Sequence, residues 1–201
     1  MSAARVGAEV ITLGCRLNHA ESARLRTLLA DSRDLVVINS CAVTSEAVRH
    51  TRQAIRRARR AAPDARLLVT GCAADVAGAA LAAMPEVDAL VANTAKLDPA
   101  AWPRPTSPRN APPPPVPARH TRAFIPVQTG CDHACTFCII PQGRGPSRSS
   151  PVAAVLDDIG RHRAAGAAEI VLSGVDLTAW GLDLPGAQRL GTLVAAILRA
   201  F

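Results

Sequence analysis

Aromatic residues make up only 2% of this 201-residue chain: three Phe, two Trp and no Tyr. A core built almost without rings must be Ala, Val, Leu and Ile, and a 49% apolar share supplies enough of them. The same scarcity argues against a base-stacking platform, which needs rings set along a basic surface. Lysine is nearly absent too. Lys96 stands alone, and Arg supplies the rest of the 23 basic residues. That skew, with abundant Ala and Pro, reads as genome base composition as readily as selection for guanidinium forks. No apolar run approaches the roughly 18–20 residues that span a bilayer. Residues 1–10 lack the apolar stretch of a secretory signal. The expectation is a cytoplasmic protein with no membrane partner. The net charge of +7 suits a polyanion such as RNA, although basic charge also simply confers solubility.

Six cysteines are present. In a reducing compartment such thiols serve metal rather than disulfides. Cys131, Cys135 and Cys138 follow the pattern C-x3-C-x2-C within one short loop. Three thiolates so spaced can hold three irons of a 4Fe–4S cube and leave the fourth open to a ligand, whereas structural metal sites close their shell with four ligands. Zinc modules favour paired C-x2-C units with a second pair further on.

Residues 8–94 alternate short apolar runs with helical patterns. Strands are expected at Glu9–Leu13, Leu35–Ile38, Arg66–Val69 and Ala89–Val91. Helices are expected at Asn18–Ala30, Ser45–Ala61 and Asp75–Met84, with Asn18 and Glu21 forming a capping box. The alternation predicts an α/β fold, a doubly wound parallel sheet with helices on its faces. Cys15, Cys41 and Cys72 each sit just after a strand, so a parallel sheet gathers them at one edge, where ligands bind. The same three residues also read as small buried side chains at strand ends. The Pro-rich stretch 98–118 is a semi-rigid spacer between a domain at 1–97 and a second at 119–201. The second opens with a strand at Phe124–Thr129 and continues with a helix at Pro151–Ala165, a strand at Glu169–Leu172 and a helix at Leu190–Ala200.

The wording around the cysteines resembles a known family. C-x3-C-x-Phe-C is similar to the radical S-adenosylmethionine (radical SAM) enzymes, and CDHACTFCIIPQGRGPSR from Cys131 looks like the methylthiotransferases among them. The upstream words GCRLNHAES, NSCAVTSEA and GCAA complete that likeness. GCRLN and SGVDLTAWG most resemble the branch that acts on threonylcarbamoyl-adenosine in tRNA.

The resemblance implies two 4Fe–4S clusters. Cys131, Cys135 and Cys138 would hold the one that binds SAM and yields a deoxyadenosyl radical. Cys15, Cys41 and Cys72 would hold the one that presents sulfur for transfer to the base. It further implies tRNA and an electron-donor protein as partners, with no DNA, and the start of a partial (β/α) barrel in residues 119–201. Asp176, after the second barrel strand, is the candidate acceptor for the SAM amino group. Arg144, in a P-x-x-R-G-like loop, is the second candidate cofactor contact, since its fork matches a carboxylate or phosphate. Arg144 reads equally as a solvent-facing turn residue, and His133 as filler within the Cys loop. The Arg-rich helix from Arg49 to Arg60 reads as a tRNA-phosphate surface or as a solvated helix face. Three alternatives stay open: a truncated iron–sulfur fragment without catalysis, a different tRNA base as substrate, or a ribosomal protein.

Overall fold

The fold is taken from a computed structural model that describes residues 7–103 and 121–201. Two compact units emerge. One joins residues 7–103 to Cys135–Arg144; the other comprises residues 121–134 and 145–201.

The first unit is a four-stranded, all-parallel sheet in the order β1-β2-β3-β4. Its strands are β1 (Glu9–Thr12), β2 (Leu35–Ser40), β3 (Arg66–Gly71) and β4 (Ala89–Leu90). Every residue of β2 is buried, as an apolar strand covered on both faces requires. Side chains alternate across it. Val36 and Ile38 pack with Leu67, Val69 and Ile55 of α2 (Ser45–Ala61). Leu35 and Val37 pack on the other face with Leu68 and with Leu25 of α1 (Arg16–Leu28). Helices therefore cover both faces, the doubly wound arrangement expected.

Helix α2 keeps its predicted bounds because its signals agree. The Thr44 hydroxyl accepts the Ala47 N–H at 3.1 Å, Glu46 sits in the first turn, and Arg59 and Arg60 in the last. The expected helix over Asp75–Met84 is instead two short ones, α3 (Cys72–Val76) and α4 (Gly78–Ala82), broken at Ala77. The structured part also runs past residue 97. Asp98 caps a 3-10 turn at Pro99–Ala101, which delivers Trp102 into the core beside α1. The rest of the expected spacer, from residue 104 onward, lies outside the described residues. A five-residue helix, α5 (Ile140–Arg144), completes this unit by packing on α3.

In the second unit β5 (Arg122–Pro126) pairs in parallel with β8 (Glu169–Ser173). Helix α6 (Val152–Ala164) connects them, and α7 (Leu190–Ala200) follows. These are the two expected βα steps. Ile125, Val127, Val155, Ile159, Trp180 and Leu193 form their core. The strand expected over Phe124–Thr129 bends at Val127. Its last two residues, β6 (Gln128–Thr129), turn to pair antiparallel with β7 (Arg148–Ser149).

Candidate metal centre

Cys15, Cys41 and Cys72 each follow the C-terminal end of a parallel strand, β1, β2 and β3 respectively. Cys15 is exposed, whereas Cys41 and Cys72 are buried. Glycine brings the three loops together. A Cβ on Gly14 would lie 2.5 Å from Cys41 Cβ and 2.8 Å from its Sγ. Gly71 adopts φ +89°, and a Cβ there would meet the Ser40 carbonyl oxygen at 2.3 Å. Only glycine holds that conformation without strain while letting backbones approach so closely.

Asn18 ties two of these loops, because its amide donates to the carbonyls of Leu13 and Ser40, both at 2.8 Å. The expected capping box is therefore not formed. Helix α1 starts earlier, with Cys15 as its N-cap, so Asn18 lies inside the helix and faces the sheet. Glu21, its supposed box partner, is buried in an ion triad. Lys96 Nζ donates to Glu21 Oε2 at 2.5 Å, and Arg144 Nη1 donates to Glu21 Oε1 at 2.9 Å. Arg144 Nη2 also donates to Asn18 Oδ1 at 2.6 Å, and Lys96 lies 3.4 Å from Asn39 Oδ1. Arg144 is not solvent-facing: its side chain is 2% exposed, and the carboxylate it meets is the protein's own.

The electrostatics follow from this burial. Desolvation alone would raise the Glu21 carboxyl, but Lys96 and Arg144 outweigh it and hold the group below the usual carboxylate range. Desolvation likewise opposes the charge on Arg144, yet Glu21 more than compensates, so its guanidinium stays protonated. Burial draws the Lys96 ammonium down against the pull of Glu21. Burial also pushes the Cys72 thiol up, while Arg144 and Lys96 draw it back. Asn93 completes the surroundings. Its amide donates to Gly143 O at 2.5 Å and lies 3.8 Å from Cys72 Sγ, and its buried Oδ1 has no partner among the described residues. Helix α5 comes so close here that a Cβ on Gly143 would lie 3.1 Å from Cys72 Cβ.

Three soft sulfur donors with cationic groups behind them fit a thiolate-ligated, net-anionic cluster. No local pattern announces the pairing of Glu21 with Lys96 and Arg144. The pairing with Lys96 spans 75 positions, and that with Arg144 spans 123.

The downstream cysteines lie on a segment that passes from one unit to the other, with Cys131 in the second and Cys135 and Cys138 in the first. Cys135 is exposed, Cys131 and Cys138 partly so, and Phe137 is 91% exposed. Within the second unit Gln128 organises the surroundings of Cys131. Its buried amide nitrogen donates to the Gly130 carbonyl at 2.8 Å and to Ser147 Oγ at 3.0 Å. Its oxygen accepts the N–H groups of Val175 and Asp176 at 2.9 and 2.8 Å. One side chain thus binds the Cys131 loop to the strand end carrying Asp176, a role the sequence reading missed.

Asp176 accepts the Thr178 hydroxyl at 2.5 Å and pairs with His133 Nε2 at 3.0 Å. The Thr178 bond foremost, with those of Ala179 N–H and His133, holds its carboxyl below the usual range. His133 is therefore more than filler. Cys131 Sγ, a His133 ring nitrogen and an Asp176 carboxylate oxygen lie within 4.8 Å of one another.

The Arg-rich helix α2 divides its charges. Arg59 is committed to the carbonyls of Glu86, Pro63 and Ala65 and to Asp88. Arg49 pairs with Glu46. Arg52, Arg57 and Arg60 remain exposed. No helix among the described residues is long and apolar enough to cross a membrane.

Residues 8–92 match the family model described as "Uncharacterized protein family UPF0004". The threonylcarbamoyladenosine tRNA methylthiotransferase MtaB of Rickettsia prowazekii is 38% identical over 95% of this chain and 48% of its own length. The tRNA-2-methylthio-N(6)-dimethylallyladenosine synthase of Chloroflexus aurantiacus is 31% identical over 94% of this chain and 44% of its own. The ribosomal protein uS12 methylthiotransferase RimO of an Anaeromyxobacter species is 33% identical over 94% and 46%. The chain spans about half the length of the curated relatives it matches.

Proposed function

For a chain that belongs to the methylthiotransferase family, we propose a radical SAM enzyme activity that methylthiolates threonylcarbamoyl-adenosine in tRNA. The observation that carries this reading is the gathering of Cys15, Cys41 and Cys72 at one sheet edge, in a chain that also carries the C-x3-C-x2-C segment at 131–138. The higher identity to the MtaB relative favours the threonylcarbamoyl branch over the other two.

Each triplet would ligate a 4Fe–4S cluster through its three thiolates. Such clusters, with SAM, supply one-electron cleavage of the sulfonium and a sulfur to be transferred. The residues around them have definable tasks. Asn18, Gly14 and Gly71 fix the loops that present the upstream thiols. Gln128 holds the Cys131 loop against the Asp176 strand end. Asp176, kept ionised and already accepting bonds from Thr178 and His133, is a ready acceptor for a substrate ammonium such as that of SAM. The exposed arginines of α2 offer contacts to tRNA phosphates, and an electron-donor protein is the remaining partner.

Anaerobic reconstitution of the 201-residue chain tests this. About eight irons and matching sulfide per chain are expected for two four-iron clusters, with deoxyadenosine formed from SAM. Incubation with tRNA should then yield the 2-methylthio derivative of threonylcarbamoyl-adenosine by nucleoside mass spectrometry. Methylthiolation of dimethylallyl-adenosine or of uS12 instead would move the assignment to one of the other two branches. Zinc retained in place of iron would overturn it.

A further inference from the structure

The first unit buries two cations and one carboxylate at its cysteine edge. Lys96, Arg144 and Glu21 have side chains 3%, 2% and 8% exposed. Stability alone is a poor account of their burial. Replacing a buried ion triad with apolar groups is often neutral or favourable, because desolvation offsets the attraction. The charges stand at the cysteine edge: Arg144 follows Gly143, where a Cβ would lie 3.1 Å from Cys72 Cβ, and it donates to Asn18, whose amide holds the Leu13 and Ser40 carbonyls in the loops of Cys15 and Cys41.

Arg144 comes from a short helix delivered by a remote part of the chain. Gly143 is flush against Cys72 and its carbonyl is gripped by Asn93, so the guanidinium is set in place by backbone contacts on both sides. Lys96, the one lysine in the chain, is fixed by Glu21 and Asn39, and its own carbonyl accepts the Trp102 indole N–H at 2.8 Å. Neither cation can swing out to solvent. The carboxylate between them keeps both in place.

Resting on the cluster assignment made above, we propose that Glu21, Lys96 and Arg144 are positioning residues that set the reduction potential of the cluster held by Cys15, Cys41 and Cys72. A fixed cation in a poorly polarisable interior favours the more negative, reduced state and so raises the potential. A fixed carboxylate lowers it.

The test uses the full chain with Cys131→Ala, Cys135→Ala and Cys138→Ala, so that only the upstream triplet takes a cluster from ferrous iron and sulfide. The midpoint potential is read from an EPR-monitored reductive titration. Lys96→Met should lower the potential, Glu21→Gln should raise it, and the Glu21→Gln/Lys96→Met pair, which restores the parent charge, should return close to the parent value. Arg144→Gln should lower it and Arg144→Lys should recover most of that loss. A merely structural role would not produce opposite signs with cancellation in the double variant. Where Lys96→Met does not fold, Glu21→Gln decides, since it keeps shape and removes no cation: an unchanged or lowered potential overturns the proposal. A parent chain that takes up no iron overturns the cluster assignment along with it. A parent with a normal cluster whose potential ignores these substitutions overturns this proposal alone.

Discussion

Gln128 shows how much one buried amide can govern. Replacing it with Leu keeps the bulk but leaves the N–H groups of Val175 and Asp176 and the carbonyl of Gly130 without this partner. Each buried polar group so orphaned costs about 1–3 kcal/mol. Gln128→Leu should therefore lower stability in urea unfolding and reduce iron bound by the downstream triplet, with the upstream triplet still loaded. Gly71→Ala should act on the other site. Its Cβ would strike the Ser40 carbonyl, and its φ of +89° is strained for any side chain, so a loss above about 1 kcal/mol is expected, with poorer iron uptake at Cys72. The cysteines were legible in the sequence because strand endings and short motifs are local. Glu21 was not. Its spacing from Asn18 imitates a helix start, while its partners come from distant segments that no local pattern announces.

Among the elements, α2 separates structural from available charge. Arg59 bonds to three backbone carbonyls and to Asp88, so Arg59→Gln should destabilise by about 1–3 kcal/mol, as expected for losing charge-assisted bonds. Replacing Arg52, Arg57 and Arg60 together should leave the melting temperature almost unchanged, since exposed substitutions rarely exceed about 0.5 kcal/mol each. If α2 touches tRNA, the triple variant binds more weakly and with a shallower salt dependence, measurable by titration at several salt concentrations. Helix α2 was readable end to end because cap, charge placement and buried stripe agree. Helix α5 was not: a five-residue segment reading IPQGR has no helical period of its own and is held by packing on α3 and by Asn93.

At the scale of the whole molecule the ion triad should govern acid sensitivity. The Glu21 carboxyl titrates below its unfolded value, so its contribution is present at neutral pH and is lost as pH falls through that depressed folded-state value. Wild type should exceed Glu21→Gln in stability at pH 7, and the difference should shrink on acidification, as followed by circular dichroism. The bipartite organisation was only partly legible. The Pro-rich stretch announced a boundary, but the compact units do not divide there alone, because Cys135–Arg144 belongs with the first sheet. Cutting the chain at residue 97 would leave Glu21 with Lys96 and no Arg144. Such a piece should unfold at lower urea than the same unit within the full chain.

That interleaving bears on inheritance. The stretch 8–92 looks like a free-standing module, and recombination between relatives would be expected to shuffle it as one. A transplant of that stretch alone would leave behind both Lys96 and the helix that completes its buried charge. Viable hybrids should therefore carry a matched 135–144 from the same parent, and the two stretches should drift as a single heritable unit.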